Sequence, residues 1–256
     1  MQWLKRKSAK KQKEKPTGVI AKIKEYTMAL LVPLAAVMVL QASMVKAYHV
    51  PTGSMRSTIE VGDNLIVNRF IYGPRTPDMV PVVNIQLPYY VFPLGRDPKT
   101  GEIIVFKYPP DPSTEYVKRC LAGPLQTVEV RNDIVLIDGK EEGERKFLRR
   151  EYDPEEQRHV NIYEITRPDG IVHTIRYFAT QGRQPQNWGP VTIPADQYFV
   201  MGDNRDNSAD SRYWGYVPRE NIHGKAMIVY FSWKKYLPLT KFADKIRWER
   251  IGKILQ

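Results

Sequence analysis

A single cysteine, Cys120, stands in 256 residues, so no disulfide can form within the chain and no pair of thiols is available to grip a metal. The four histidines, His49, His159, His173 and His223, show no ligand pair at helical spacing, and no metal site is expected. Glycines number 16 but gather into no phosphate-cradling loop, so no nucleotide or other cofactor is implied. Internal repeats are absent. Charge is missing from one stretch altogether: Tyr26 to Val45 reads YTMALLVPLAAVMVLQASMV, twenty residues without Asp, Glu, Lys, Arg or His.

The charge that is present lies at the ends. Residues 1–25 carry nine Lys and Arg against Glu14 and Glu25, a net +7, and residues 234–256 carry a net +5. Against a total of +11, the body between them is left at −1. A nearly neutral body has no broad phosphate-neutralising face, which argues against nucleic acid as a partner.

As a helix rising about 1.5 Å per residue, the uncharged run is long enough to cross a hydrocarbon core of roughly 30 Å. A membrane-spanning helix over 26–47 is therefore expected, kinked at Pro33. The alternative is a cleaved signal peptide, supported by the small residues of Val45-Lys46-Ala47. The length of the run and the extended basic tail before it favour an uncleaved anchor. The basic tail, 1–25, then lies in the cytoplasm and 48–256 outside.

Beyond the anchor the pattern is mainly β: short apolar runs broken by turns, with 20 prolines in the chain. Strands are expected over 64–70, 102–108, 115–121, 128–137, 161–165, 171–178, 197–201 and 225–231. A hairpin is written out as NIYEIT, Arg167-Pro168-Asp169-Gly170, IVHTIRYF, in which Pro presets the turn and Gly supplies a positive φ. It belongs to an inserted excursion over about 140–188. The segment Lys140 to Glu156 is charged enough to read as solvated and mobile. Val80 to Leu94 and the C-terminal 234–256, where aromatic and basic residues interleave, suit either a lipid interface or packing on the β core.

For chemistry the residues offer Pro51-Thr52-Gly53-Ser54-Met55, placed just after the apolar run. Gly53 leaves room for a carbonyl to approach backbone N–H groups beside Ser54. Taken alone, the stretch is equally an ordinary turn. A serine needs a base. His223 or His49 is the conventional choice. Lys118 is the other, since a strand over 115–121 sets it on one face with Tyr116 and Cys120. An ordinary lysine, with a pKa of about 10.4, is neutral in only about one molecule in a thousand at pH 7.4, whereas burial lowers that pKa by roughly three units or more. The pair Lys118-Arg119 also reads as a strand-edge guard against aggregation.

Three stretches, in order, resemble the type I signal peptidase family, the membrane-anchored Ser-Lys proteases. Pro51-Thr52-Gly53-Ser54-Met55 is similar to its nucleophile box, Tyr116-Val117-Lys118-Arg119 to its lysine box, and GDNRDNSADSR over 202–212 to its long signature. Gly101 to Phe106 and Tyr213 to Pro218 add shorter matches, so the likeness covers about 50–232. It departs after the lysine: where the family continues G-x-P-G-D, this chain has Ala122-Gly123-Pro124-Leu125-Gln126.

The resemblance implies a signal-peptidase-like β-sheet catalytic core with an inserted β-ribbon, preceded by one transmembrane helix, in a bacterial inner membrane. It implies Ser54 as nucleophile, Lys118 as general base and Ser208 as the hydroxyl that orients the lysine. Thr52 and the Ser54 N–H form the oxyanion hole; Asp203, Asp210 and Arg212 are structural supports. Val50, Val117 and Tyr116 line a pocket for small residues. The implied substrates are secretory preproteins, cut after Ala-x-Ala, with membrane lipid as the other partner; the oligomeric state is left open. Val45-Lys46-Ala47 itself looks like such a site, so slow self-cleavage between Ala47 and Tyr48 is expected. An anchored β-domain that binds exported chains without cutting them stays as the non-enzyme alternative.

Overall fold

The computed structural model describes residues 19–73, 90, 92, 94–180, 187–234, 237, 240 and 242–256, with side-chain positions from residue 22 on apart from 34–43 and 242. Two compact units are present, Met1–Gln41 and Ala42–Gln256. The basic tail through residue 18 and most of the Val80 to Leu94 stretch lie outside the described residues.

Helix α1 runs Val19–Met44 and strand β1 follows at once as Val45–His49. The helix thus starts earlier than the expected 26–47 and stops short of its end. Val45 to His49 are claimed instead by antiparallel pairing with β2 (Asp63–Asn68), from Val45 opposite Asn68 to His49 opposite Asn64. Among the described residues no helix is long and apolar enough to cross a membrane, so the spanning reading rests on the uncharged run. The Ala47–Tyr48 bond lies inside β1, its two residues opposite Ile66 and Leu65.

The remaining strands are β3 (Ile103–Tyr108), β4 (Asp111–Ala122), β5 (Thr127–Arg131), β6 (Ile134–Ile137), β7 (Lys140–Glu141) and β8 (Glu144–Asp153). They continue as β9 (Arg158–Thr166), β10 (Val172–Phe178), β11 (Trp188–Thr192), β12 (Gln197–Met201), β13 (Val217–Pro218) and β14 (Ile222–Ser232). One sheet runs β1-β2-β14-β3-β4-β12-β13, a second β10-β9-β8 and a third β11-β5-β6-β7. The class is mainly β, as the sequence pattern indicates.

The central strands of the large sheet are buried on both faces, which explains the unbroken apolar run of β3. Ile103 and Val105 pack with Val50, Met55, Leu65 and Val229 on one side. Ile104 and Phe106 pack with Cys120, Tyr198 and Val200 on the other. Phe199 and Met201, the alternate residues of β12, join Val128, Val130 and Val135 under the third sheet.

Three expectations are corrected. The strand drawn over 128–137 is two strands, because Asn132 and Asp133 take φ of 49° and 65° in a tight hairpin turn. The strand drawn over 64–70 ends at Asn68, and Phe70–Tyr72 form a 3-10 turn. The charged segment 140–156 contains β7 and β8, and its Glu142 and Asp153 are buried against arginines from distant parts of the chain. Of the C-terminal stretch, Ile246 and Leu255 are buried while Trp248 and Ile254 stay exposed, so packing and surface readings each hold for part of it. The hairpin at Arg167 to Gly170 forms as written, with Gly170 at φ 82° and the Arg167 N–H donating to the Ile171 carbonyl at 2.9 Å.

Candidate active site

Ser54 sits on a turn fixed at both sides by buried neighbours. Val50 exchanges backbone hydrogen bonds with Asp63 and Gly62, extending the β1–β2 ladder. Met55 is fully buried, and its carbonyl accepts from the Thr58 and Ile59 N–H groups. Between these anchors the Ser54 hydroxyl faces Lys118.

Lys118 lies in the middle of β4, where residues 115–118 pair with β3 on one side only, because β12 joins β4 from Arg119 onward. Its Nζ is 2.7 Å from Ser54 Oγ and 3.1 Å from the Val117 carbonyl oxygen, and 5.1 Å from the centre of the Tyr116 ring. Only 3% of the residue is exposed. Burial pushes its pKa down to about 8, against the opposing pull of Asp210 and Asp203. At neutral pH a useful fraction of the amine is therefore unprotonated and within reach of the hydroxyl proton.

The 202–212 stretch wraps behind this pair. Gly202 has no room for a side chain: a Cβ there would strike the Ser54 carbonyl oxygen and the Ser208 side chain, so that glycine alone lets the buried Ser208 close on the Ser54 backbone. Asp203 receives two hydrogen bonds from Arg119, at 2.9 and 2.8 Å. Asp210 caps the one-turn helix α2 (Ser211–Trp214), binds the Arg212 guanidinium at 2.8 Å through both its oxygens, and accepts from the Gly202 N–H at 3.1 Å. Asp206 is buried and accepts from the Phe178 N–H at 2.7 Å.

Val50, Val117 and Tyr116 come together with Thr52, Ser54 and Lys118 along one cleft of about 530 Å³. Thr52 is exposed at its rim. Glu115 enters the same wall, gathered by Lys46 at 3.2 Å, Tyr48 at 3.0 Å and His223 at 2.7 Å. That last contact occupies His223 Nδ1, and His49 Nδ1 meets Asn64 Oδ1, so both candidate histidines face groups other than Ser54. Among the described residues no group of three or more His, Cys, Asp or Glu side chains is placed to hold a metal.

Sequence reasoning missed Arg56, Asn204 and Glu156. Asn204 donates from Nδ2 to the Gly53 carbonyl at 3.0 Å and from its backbone N–H to the Ser54 carbonyl at 3.1 Å. Asn204 was visible within the 202–212 motif, but nothing in spacing assigns it to Gly53. Arg56 and Glu156 approach to 3.8 Å from distant parts of the chain, which no local pattern reveals.

The arrangement is that of a buried amine beside a serine hydroxyl in an apolar cleft. Comparison with known proteins gives the family. A signal peptidase I of Pseudomonas fluorescens is 36% identical over 90% of this chain and 78% of its own. One of Pseudomonas aeruginosa is 37% identical with the same coverage. A solved signal peptidase I from Enterococcus faecalis, 28% identical, aligns over 51% of this chain and 97% of its own at a TM-score of 0.30. The model of the family described as signal peptidase, peptidase S26, matches residues 23–233, and the chain belongs to that family of serine peptidases.

Proposed function

We propose that this chain is a membrane-anchored endopeptidase that removes signal peptides from secretory preproteins after Ala-x-Ala-like sites. Ser54 is the nucleophile and Lys118 the general base. The observation that carries the reading is the 2.7 Å contact between Lys118 Nζ and Ser54 Oγ, made by an amine whose pKa is lowered to about 8.

In this mechanism neutral Lys118 takes the hydroxyl proton as Ser54 Oγ attacks the scissile carbonyl carbon. The oxyanion that forms is met by the Ser54 N–H and the Thr52 hydroxyl, donors whose value grows as charge develops. The tetrahedral species collapses and expels the new amino terminus of the mature chain, which leaves with the proton held by Lys118. Water, deprotonated by the same amine, then hydrolyses the ester and frees the signal peptide. Ser208 orients the lysine; Asp203, Asp210 and Arg212 support the loop that carries it. Val50, Val117 and Tyr116 receive small side chains, and an extended substrate lies along the open side of β4.

The uncharged run anchors the enzyme in a bacterial inner membrane, with 1–25 in the cytoplasm and 48–256 outside. Interfacial docking by 234–256 uses the exposed Trp248 and Ile254. The test is cleavage of a preprotein bearing Ala-x-Ala by detergent-solubilised wild type, Ser54→Ala, Lys118→Ala and a quadruple histidine variant. Loss of cleavage in the serine and lysine variants alone is expected. A Lys118→Ala enzyme that still cuts removes the base assignment. Cleavage at the wild-type rate by Ser54→Ala removes the nucleophile assignment, and a wild type that binds the preprotein without cutting it favours a binding domain without catalysis.

A further inference from the structure

Glu156 lies in the turn between β8 and β9, within the segment whose composition reads as solvated, yet it reaches under the nucleophile. Its Oε1 accepts from Arg176 Nη2 at 2.6 Å, Asn204 Nδ2 at 2.9 Å and Asn207 Nδ2 at 3.1 Å, with Arg56 Nη1 at 3.8 Å. The β10 backbone is tied to the same loop: the Arg176 N–H donates to the Asp203 carbonyl and the Arg205 N–H to the Arg176 carbonyl, each at 2.9 Å.

Both hydrogens of the Asn204 amide are thus assigned, one to Glu156 and one to the Gly53 carbonyl. Its Oδ1 has no hydrogen-bond partner among the described residues, so nothing on that side fixes the amide. Turned over, the amide would set Oδ1 against a carboxylate and a carbonyl, three acceptors facing one another. Glu156 and the Gly53 carbonyl together hold Nδ2 toward Gly53, and Glu156 is the side chain that anchors the other amide hydrogen.

That choice reaches the chemistry through the peptide plane. The Gly53–Ser54 peptide is trans, so its carbonyl and the Ser54 N–H point in opposite directions. Asn204 Nδ2 holds that carbonyl at 3.0 Å and the Arg56 N–H holds it at 3.1 Å. Fixing the carbonyl aims the N–H. We infer that Glu156 is a positioning residue for the reaction: through the Asn204 amide it sets the Gly53–Ser54 peptide plane and so the direction of the oxyanion donor. The inference rests on the reading of Ser54 as nucleophile.

A misaimed donor weakens binding of the transition state and leaves the ground state alone. In full-length enzyme with an Ala-x-Ala preprotein, Glu156→Ala lowers plateau kcat roughly tenfold to a hundredfold while KM stays within about twofold. The acid limb of the pH profile stays where it is in wild type, because the surroundings of Lys118 are untouched. Glu156→Gln keeps an acceptor oxygen for Asn204 and restores kcat to within about threefold. A Glu156→Ala kcat within about threefold of wild type, or a loss confined to KM, overturns the inference. Should Glu156→Ala fail to fold, Asn204→Ala decides: lowered kcat at unchanged KM is expected, and a wild-type kcat overturns it. Ser54→Ala run alongside separates the two claims. Full activity there removes the nucleophile itself, whereas an inactive Ser54→Ala beside a normal Glu156→Ala removes only the role of Glu156.

Discussion

Arg119 grips Asp203 through two parallel hydrogen bonds, Nε to Oδ1 at 2.9 Å and Nη2 to Oδ2 at 2.8 Å, with both side chains shut off from water. The same guanidinium donates to the Gly101 and Gln256 carbonyls at 2.7 Å. Consecutive residues of β4 thus divide the work: Lys118 turns to Ser54, and Arg119 turns away to pin the 202–212 loop. The pair is not a strand-edge guard.

Removing one partner leaves the other charge buried. Asp203→Ala is expected to cost about 3–5 kcal/mol, since the Arg119 guanidinium has no water to return to. Thermal unfolding checks this, and a midpoint close to wild type contradicts it.

Lys118 carries the opposite sign. Its folded pKa of about 8 lies below the ordinary 10.5, so the unfolded chain binds more protons and stability rises with pH between those values. Below about 8 the full cost of burying the ammonium is borne by the fold. Lys118→Met removes it, and the variant gains on the order of 3 kcal/mol at pH 7. Urea unfolding at pH 7 and pH 10 measures the gain, which shrinks at the higher pH.

Acid works through carboxylates. Burial raises the pKa of Glu102, yet hydrogen bonds from Arg96, the Lys99 N–H, Tyr72 and Lys225 bring it to about 2. Burial likewise opposes Glu115, which His223 and Lys46 hold at about 2. Both start from 4.5, so their contribution is complete above that pH and fades as pH falls toward 2. Glu115→Gln should flatten that part of the stability profile, as followed by urea midpoints between pH 5 and pH 2.

Leu125 occupies the place of the glycine in the family's G-x-P-G-D turn and keeps the left-handed backbone that glycine favours, at φ 65°. It is 72% exposed, so its side chain returns little packing. The turn survives because Gln126 Oε1 accepts from the Gly123 N–H at 2.9 Å and Leu125 donates to the Ile193 carbonyl at 3.0 Å. Leu125→Gly should stabilise by roughly 0.5–1 kcal/mol, relief of the left-handed strain exceeding the entropy lost. Calorimetry reads the shift.

What could be read from the sequence was what is local. The 51–55, 116–119 and 202–212 stretches carry their chemistry in contiguous residues, and the apolar runs of β3 and β12 announce buried strands. β8 could not be read so. Its ERKFLRREYD alternates in nothing and is exposed apart from the half-buried Arg145 and the buried Asp153, and its order comes from pairing with β9. The buried charges of the 140–156 segment were opaque for a related reason. Glu142 needs Arg205, and Asp153 needs Arg56 and Arg176, all partners that only the fold brings near.

The most direct measurement is the pH dependence of kcat/KM for preprotein cleavage by the wild-type enzyme and by a variant lacking all four histidines. A free lysine base with a pKa near 8 gives an acid limb that bends near pH 8 and is the same in both enzymes. A limb bending near pH 6.5 that vanishes with the histidines would contradict the Ser54–Lys118 assignment.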